Sequence, residues 1–476
     1  MRYISDIFGE KEISSLAIGD NVAIWSQTGS GKSYLIKNVI SKHCLEKNLK
    51  CLLISNRKIL RNQNEKDLRL TEYGDAVDTI NYQGLEVKFN GDIKVLFSGY
   101  DFIVFDEVHY LLNDSEFNRN TDILLGVVKN PPKDKICIYM TATPDALEFC
   151  GIKPNKIYTL PNDYSYIENV FFYSKENTLN EILNSIPYGE KAMYFCSTAA
   201  DAYKKSKDIG GASFICSENN RNFYAESSMQ ERANIIARDK FDSKILCCTK
   251  VLDNGVNIKD SSVKHIIIDI LDPITFVQCL GRKRVIFDDD KISLYIKAHP
   301  VNQINFVRKK YEDKLAIADE LILIGREAFV EKYKKRALDD IIDNDMTINQ
   351  AKYFYYKFMV SELKKMCEVG YIQYICQKIG YDYNKIEKAE SFFEKKTLRN
   401  VLEFWAGKKI FSEEQEKFKE DFFGRIFETK SRSYRRRGLK SINAIMEEDG
   451  VDYVLVSSRE TAGENRNKRY WQLIKY

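Results

Sequence analysis

Three clusters in this 476-residue sequence have the residue types and spacing to do chemistry. The first is Ser26-Gln27-Thr28-Gly29-Ser30-Gly31-Lys32-Ser33, set between the apolar run Asn21–Trp25 and a stretch from Ser33 to Ile40 with apolar residues at helical spacing. Strand, glycine-rich loop and helix in that order build a phosphate cradle. Glycines 29 and 31 let backbone N–H groups curl around phosphates, Lys32 reaches the outer ones, and the Ser33 hydroxyl offers a ligand to Mg²⁺. The helix N-terminus adds partial positive charge. The loop opens on Ser26 where the pattern normally has Gly. It implies a nucleoside triphosphate, and by itself leaves the reaction open among kinases, transporters, switches and motors.

The second cluster ends another apolar run, Phe102-Ile103-Val104-Phe105-Asp106-Glu107-Val108-His109. Two carboxylates at the C-terminal edge of a strand in an open α/β sheet suit a Mg²⁺ contact and a base for water. Asp106 is expected to hold the metal, directly or through water, and Glu107 to orient and deprotonate the attacking water. A solvated acidic turn is the competing reading, and the upstream phosphate loop argues against it. The third cluster is Gln278-Cys279-Leu280-Gly281-Arg282-Lys283-Arg284. Alone it reads as a solvated basic turn. Opposite a γ-phosphate, an arginine delivered by a second domain would offset shifting negative charge, at about 10³ to 10⁵ in rate.

Asp-Glu-x-His together with the phosphate loop resembles the superfamily 2 DExH helicases of the DEAD/DEAH-box family. Further motifs follow in the family's order. The stretch from Ile54 through Arg57 to Gln63 resembles the motif that touches the nucleic-acid backbone, and Met140-Thr141-Ala142-Thr143-Pro144 resembles the one that couples hydrolysis to domain movement. The stretch from Thr249 through Gly255 to Asn257 is similar to the second-domain motif that contacts nucleic acid and nucleotide, and residues 278–284 resemble the arginine-finger motif. The resemblance implies catalytic roles for Asp106, Glu107, His109, Gln278, Arg282 and Arg284. It implies ATP contacts from Gln27 to Ser33 and from Gly255 and Asn257, with Mg²⁺ at Ser33 and Asp106. Coupling falls to Thr141 and Thr143, and nucleic-acid contact to Arg57 and Thr249.

Three departures matter. Arg284 follows Arg282 by two residues where the family has three, which leaves open which of them is the finger. Gly255-Val256-Asn257 keeps a hydrogen-bonding group where the family has aspartate, without its charge. No glutamine precedes Gln27, so the adenine-reading glutamine of the DEAD-box branch has no counterpart. The shortened arginine motif resembles that of viral, phage and plasmid replication helicases of the origin-binding type.

Positioning these clusters takes two α/β units. Short apolar runs alternate with helical patterns up to residue 300, at Cys51–Ser55, Phe102–Phe105, Ile136–Met140, Ala192–Cys196, Ala212–Cys216, Lys244–Cys248, His265–Asp269 and Ile292–Ile296. The turn-rich stretch Thr159–Asp163 separates the units. All eight prolines lie at or before Pro300, so the remainder reads as mainly helical. The expected fold class is two tandem RecA-like (P-loop) parallel-sheet domains, 1–160 and 161–300, followed by a mainly α-helical accessory domain, 301–425. Residues 426–476 form a basic segment with a winged-helix-like nucleic-acid-binding module.

The net charge of +4 arises wholly beyond residue 300. Its densest segment, Lys430 to Lys440, includes Arg435, Arg436 and Arg437 and no acid, a phosphate-binding pattern that competes with a solvated linker. The rings of Tyr353–Phe358 recur at helix-core spacing, with base stacking as the other reading. Eleven scattered cysteines with no Cys-x-x-Cys read as reduced core residues. No membrane-length apolar run is present, which implies a cytoplasmic protein. The expected function is an ATP- and Mg²⁺-dependent helicase or translocase on nucleic acid, DNA ahead of RNA, with replication or defence protein partners and no membrane. Its rivals are a double-strand DNA translocase subunit of a restriction or defence system and a nucleotide-gated nucleic-acid binding or loading protein.

Overall fold

The computed structural model describes residues 3–55, 72–88, 96–218, 220–249, 257–333, 340–343, 345–423, 438–463 and 465–476. The chain divides into two compact units: Met1–Val170 with Leu183–Ile386, and Phe171–Ile182 with Glu387–Tyr476.

The first unit holds two parallel sheets. One runs β3-β2-β4-β5-β1-β6, from β1 (Asn21–Trp25), β2 (Cys51–Ser55), β3 (Val77–Asn81), β4 (Phe102–Phe105), β5 (Ile136–Thr141) and β6 (Lys156–Thr159). Its inner strands are buried on both faces, which is why they read as continuous apolar runs. All four residues of β4 are buried. The other sheet follows β7 (Ile167–Tyr173) with the order β12-β11-β8-β10-β9, from β8 (Lys191–Phe195), β9 (Ala212–Ile215), β10 (Ile245–Cys248), β11 (Val263–Ile268) and β12 (Ile292–Lys297). The apolar-run reading finds these central strands to within two residues. It misses β3 and β6, the two edges of the first sheet, because an edge strand alternates polar with apolar residues and β6 is half exposed throughout, and it also misses β7, whose Glu168-Asn169 interrupts the apolar run.

The glycine-rich loop leaves β1 with Gly29 and Gly31 at φ 91° and 90°, backbone that favours glycine. The helix after it begins at Lys32–Leu35, widens into a π turn at Ile36–Ile40 and resumes as α-helix at Ser41–Glu46. The Ser41 hydroxyl donates to the Ile36 carbonyl at 2.8 Å within that wide turn.

Helices Val301–Tyr333, Gln350–Val369 and Tyr371–Ile379 belong to this first unit, which runs to Ile386. The longest is broken at Gly325, whose φ of 79° and ψ of 164° are not helical. Gln350–Val369 packs on the first sheet's domain: Phe358 meets Phe149 edge-on at 5.6 Å, and the Ala351 N–H donates to Asp122 Oδ1 at 2.9 Å. Tyr353, Tyr355, Tyr356 and Phe358 are buried, so these rings are core. All eleven cysteines are free and ten are buried. Cys367, partly exposed on this helix, donates from Sγ to Asn305 Oδ1 at 3.4 Å. Among the described residues no helix is long and apolar enough to cross a membrane.

The second unit contains the end of β7, paired in parallel with β13 (Glu387–Lys388), and a small domain behind it. That domain runs helix Ala389–Trp405, β14 (Lys409–Ile410), helix Ser412–Phe423, helix Leu439–Glu448, then the antiparallel hairpin of β15 (Tyr453–Arg459) and β16 (Arg469–Lys475). The sheet order is β14-β16-β15. One core joins Leu402, Trp405, Phe418, Phe422, Ile442, Met446, Leu455 and Leu473, which ties residues from Ala389 onward to the hairpin. Its first helix and β14 supply five of that core's fourteen buried residues, so they pack in the same core as the hairpin that was expected within 426–476.

Candidate active site

The clusters at 26–33, 102–109 and 278–284 meet in one cleft of about 360 Å³ in the first unit, between the two sheets. Thr28, Gly29, Gly31, Lys32 and Ser33 line it with Asp106, Glu107 and His109 from the first domain, and with Asn257, Arg282 and Arg284 from the second. Lys259, Val285 and Ile286 complete the lining and were not anticipated; nothing in their sequence context marks them.

Each side chain is placed by backbone that can be traced. Asp106 N–H donates to the Ile54 carbonyl at 2.9 Å and Val108 N–H to the Met140 carbonyl at 3.0 Å, so the chain leaving β4 stays pinned between β2 and β5. Between those two tethers Glu107 takes φ 51°, a left-handed conformation that costs energy for a side chain with a β-carbon. The Tyr82 hydroxyl donates to the Asp106 carbonyl at 3.0 Å and its ring stacks on Tyr110 at 4.8 Å. Across the cleft, the Ile258 N–H donates to the Arg282 carbonyl and the Arg284 N–H to the Ile258 carbonyl, both at 2.9 Å. That bridge joins the two second-domain motifs. Lys283 points away, into a fully buried ion pair with Asp290 that anchors the arginine turn.

Lys32 Nζ donates to the Ser26 and Gln27 carbonyls at 2.9 and 3.2 Å and stands 3.6 Å from Glu107 Oε1. Burial would raise the Glu107 carboxyl, but Lys32, with Arg282 and Arg284 behind it, outweighs burial and holds the carboxyl below the usual carboxylate range. Burial, reinforced by the Glu107 charge, pushes Asp106 up to about 7. Two neighbouring carboxylates are thus driven apart, with Glu107 the one that ionises first. Burial also brings His109 down to about 4. A neutral imidazole fits its contacts: Gln278 Nε2 donates to His109 Nε2, and His109 Nδ1 donates to Thr141 Oγ1 at 2.9 Å. The Thr143 N–H also donates to Thr141 Oγ1, at 3.0 Å. Thr141, His109 and Gln278 therefore form one hydrogen-bonded chain across the cleft.

Arg284 and Asn257 were expected to have separate roles and turn out to be partners. Arg284 Nε donates to Asn257 Oδ1 at 2.8 Å, and its Nη2 bonds the same oxygen. Its Nη1 is buried without a hydrogen-bond partner, and burial lowers the guanidinium to about 10. Arg282 is buried beside it. The Gln27 side chain clamps the interdomain linker: its Nε2 donates to the Asp163 carbonyl at 3.2 Å and its Oε1 accepts from the Asp163 N–H at 2.7 Å. Ser30 donates to Ser26 Oγ at 2.9 Å, so the serine in place of glycine braces the loop. Thr249 follows β10 and lies outside the cleft lining. Arg57, Gly255, Arg435, Arg436 and Arg437 lie outside the described residues.

Asp106 Oδ1 is also buried without a hydrogen-bond partner. With the Ser33 hydroxyl on the same cleft wall, this is an oxygen donor set that fits Mg²⁺. Among the described residues no three His, Cys, Asp or Glu could hold a metal.

Two sheets, a phosphate loop on one and arginines from the other define a two-domain nucleotide hydrolase. Residues 12–146 match the family model of the type III restriction enzyme res subunit, and residues 174–284 match that of the helicase conserved C-terminal domain. On these two modules and the motifs they enclose, the chain belongs to the superfamily 2 helicases, nucleic-acid-dependent ATPases. No curated protein sequence matches the chain. Among solved structures, Mss116p bound to ssRNA and AMP-PNP is similar with a TM-score of 0.46 at 14% identity, over 78% of this chain and 90% of that one. A variant of S. cerevisiae Dbp5 bound to RNA and ADP BeF3 gives 0.46 at 17% identity, over 75% and 92%. Escherichia coli DEAH/RHA helicase HrpB gives 0.42 at 12%, over 62% and 42%.

Proposed function

We propose that the chain is an ATP- and Mg²⁺-dependent motor acting on DNA, in which closing of the cleft by the second domain completes the hydrolytic site. The observation that carries this is the position of Arg284, held by Asn257 and laid against the phosphate loop. In this reading Lys32 and the loop N–H groups bind the phosphates, Ser33 and Asp106 hold Mg²⁺, and Glu107 takes a proton from water. Mg²⁺, when bound, would supply positive charge to the phosphate oxygens. Arg284 is the finger and Arg282 its neighbour, which keeps Glu107 ionised. The chain Thr141–His109–Gln278 transmits domain closure to the acidic pair. Arg57 and Thr249 contact the nucleic-acid backbone, and a replication pathway would use the motor as a helicase.

The match of residues 12–146 to a restriction-enzyme subunit favours a second reading, a double-strand DNA translocase serving a defence partner. ATPase rates with single-stranded, duplex and forked DNA and with RNA, measured side by side, test both. Strongest stimulation by forked or single-stranded DNA supports the helicase, and strongest stimulation by intact duplex supports the translocase. A rate that no nucleic acid raises would overturn the proposal.

A further inference from the structure

The second unit carries a charge arrangement that its own packing does not explain. In the register of β15 with β16, Arg459 faces Arg469. Like charges directly opposite one another destabilise a hairpin. Arg466 and Lys468 follow in the connecting loop, and all four side chains are exposed. Among the described residues no carboxylate pairs with any of them. The nearby Glu460 is taken by Lys409. Lys468 donates only to the neutral Asn465 Oδ1, at 2.9 Å.

The hairpin also has a direction. Alternation puts Arg459 and Arg469 on the sheet face of Leu455 and Leu473, which pack in one core with Ile442 and Met446 of helix Leu439–Glu448. That helix is locked to the hairpin: Asn443 Nδ2 donates to the Leu455 carbonyl at 2.9 Å and Asn443 Oδ1 accepts the Leu455 N–H at 2.8 Å. β15 is an edge strand, and this clamp occupies its backbone at mid-length. Helix and ribbon thus present one composite face. The helix contributes little charge to it, since Lys440 at its start is offset by Glu447 and Glu448 at its end. The cationic part is the ribbon.

We infer that residues 387–476 form a winged-helix-like duplex-DNA docking module whose contact element is the hairpin tip, through Arg459, Arg466, Lys468 and Arg469. The major groove of B-form DNA admits a two-stranded ribbon or a helix, whereas the deep, narrow major groove of A-form RNA excludes side chains. Duplex phosphates would offset the Arg459–Arg469 repulsion that the free module bears. The site shares no residue with the ATP cleft, and none of its four residues belongs to the basic segment around Arg435.

The test is duplex-DNA binding by the full-length chain without nucleotide, followed across a salt series, so that its result is independent of ATPase activity. Replacing the four residues together (Arg459→Ser, Arg466→Ser, Lys468→Ser, Arg469→Ser) should weaken binding at least tenfold. The slope of log affinity against log salt should fall by about 0.9 for each lost phosphate contact, about three to four in all. A second variant, Arg459→Lys, Arg466→Lys and Arg469→Lys, keeps the charges and should keep the slope to within about one. An unchanged slope in the serine variant overturns the inference. So does a loss in the lysine variant equal to that of the serine variant. A serine-variant loss that is as large for duplex RNA or single-stranded DNA as for duplex DNA also overturns it.

Discussion

Arg284, from the second domain, lies so close to Gly29 of the first that a β-carbon on that glycine would stand 2.8 Å from Arg284 Nη1. Gly29 also sits at φ 91°. Gly29→Ala should therefore act on the arginine as well as on the loop, with kcat falling by on the order of 10²-fold from its misplacement. Steady-state kinetics over a range of ATP concentrations would show it; a change in KM alone would separate the glycine from the arginine.

Arg284→Ala should lower nucleic-acid-stimulated kcat by about 10³-fold or more while ATP binding persists. Asn257→Ala releases the same guanidinium and should cost less. Because one residue acts through the other, the double variant should be no slower than Arg284→Ala alone. Additive losses in that cycle would show that Asn257 and Arg284 work separately.

Lys32→Ala should abolish ATP turnover, and Glu107→Gln should retain ATP binding while losing hydrolysis. Equilibrium binding of a fluorescent ATP analogue, run beside phosphate release, distinguishes the two. A Glu107→Gln chain that still turns over ATP at the parent rate would remove Glu107 from its role as base.

His109 gives the fold a pH dependence with a definite sign. Its folded pKa, about 4, is below the unfolded value near 6.5, so its stabilisation is complete above 6.5 and is lost as pH falls toward 4. Asp106 acts in the opposite sense: its folded value of about 7 lies above the unfolded one, so its contribution is present at low pH and disappears as pH rises through 7. Comparing the parent with His109→Gln isolates the histidine. Between pH 6.5 and 4 the parent should lose on the order of 3 kcal/mol more than the variant in urea unfolding.

Lys283 and Asp290 are both fully buried as an ion pair beneath the arginine turn. Asp290→Ala leaves the ammonium unpaired and should destabilise the fold by about 3 to 5 kcal/mol. A shift of the urea midpoint at constant m-value would report it. A loss of ATPase with no change in stability would instead place Asp290 among the cleft residues.

The central strands and the three chemical clusters were legible because each depends on neighbours in sequence. A buried parallel strand is a solid apolar run, as in Phe102–Phe105, and a phosphate loop needs its glycines and lysine adjacent. What could not be read depends on tertiary contact. Nothing local to Asn257 announces that it holds Arg284, nor does anything in Gln27 announce its clamp on Asp163. The aromatic helix Gln350–Val369 looked like part of an appended domain because its periodicity shows a buried face and not what buries it. Nothing in the sequence joins β14 to the C-terminal hairpin, because β14 is only Lys409–Ile410, too short to leave a pattern.

Cys367 gives the motor a natural reporter. It is the one cysteine of eleven that is not buried, so a maleimide dye should modify a single position in the native chain. Its sulfur touches Asn305, on the helix that continues from β12 of the second domain, while its own helix is bound to Asp122 of the first. A fluorophore there would sit where two elements anchored to opposite sides of the cleft meet, and its brightness could follow ATP-driven movement without any engineered cysteine.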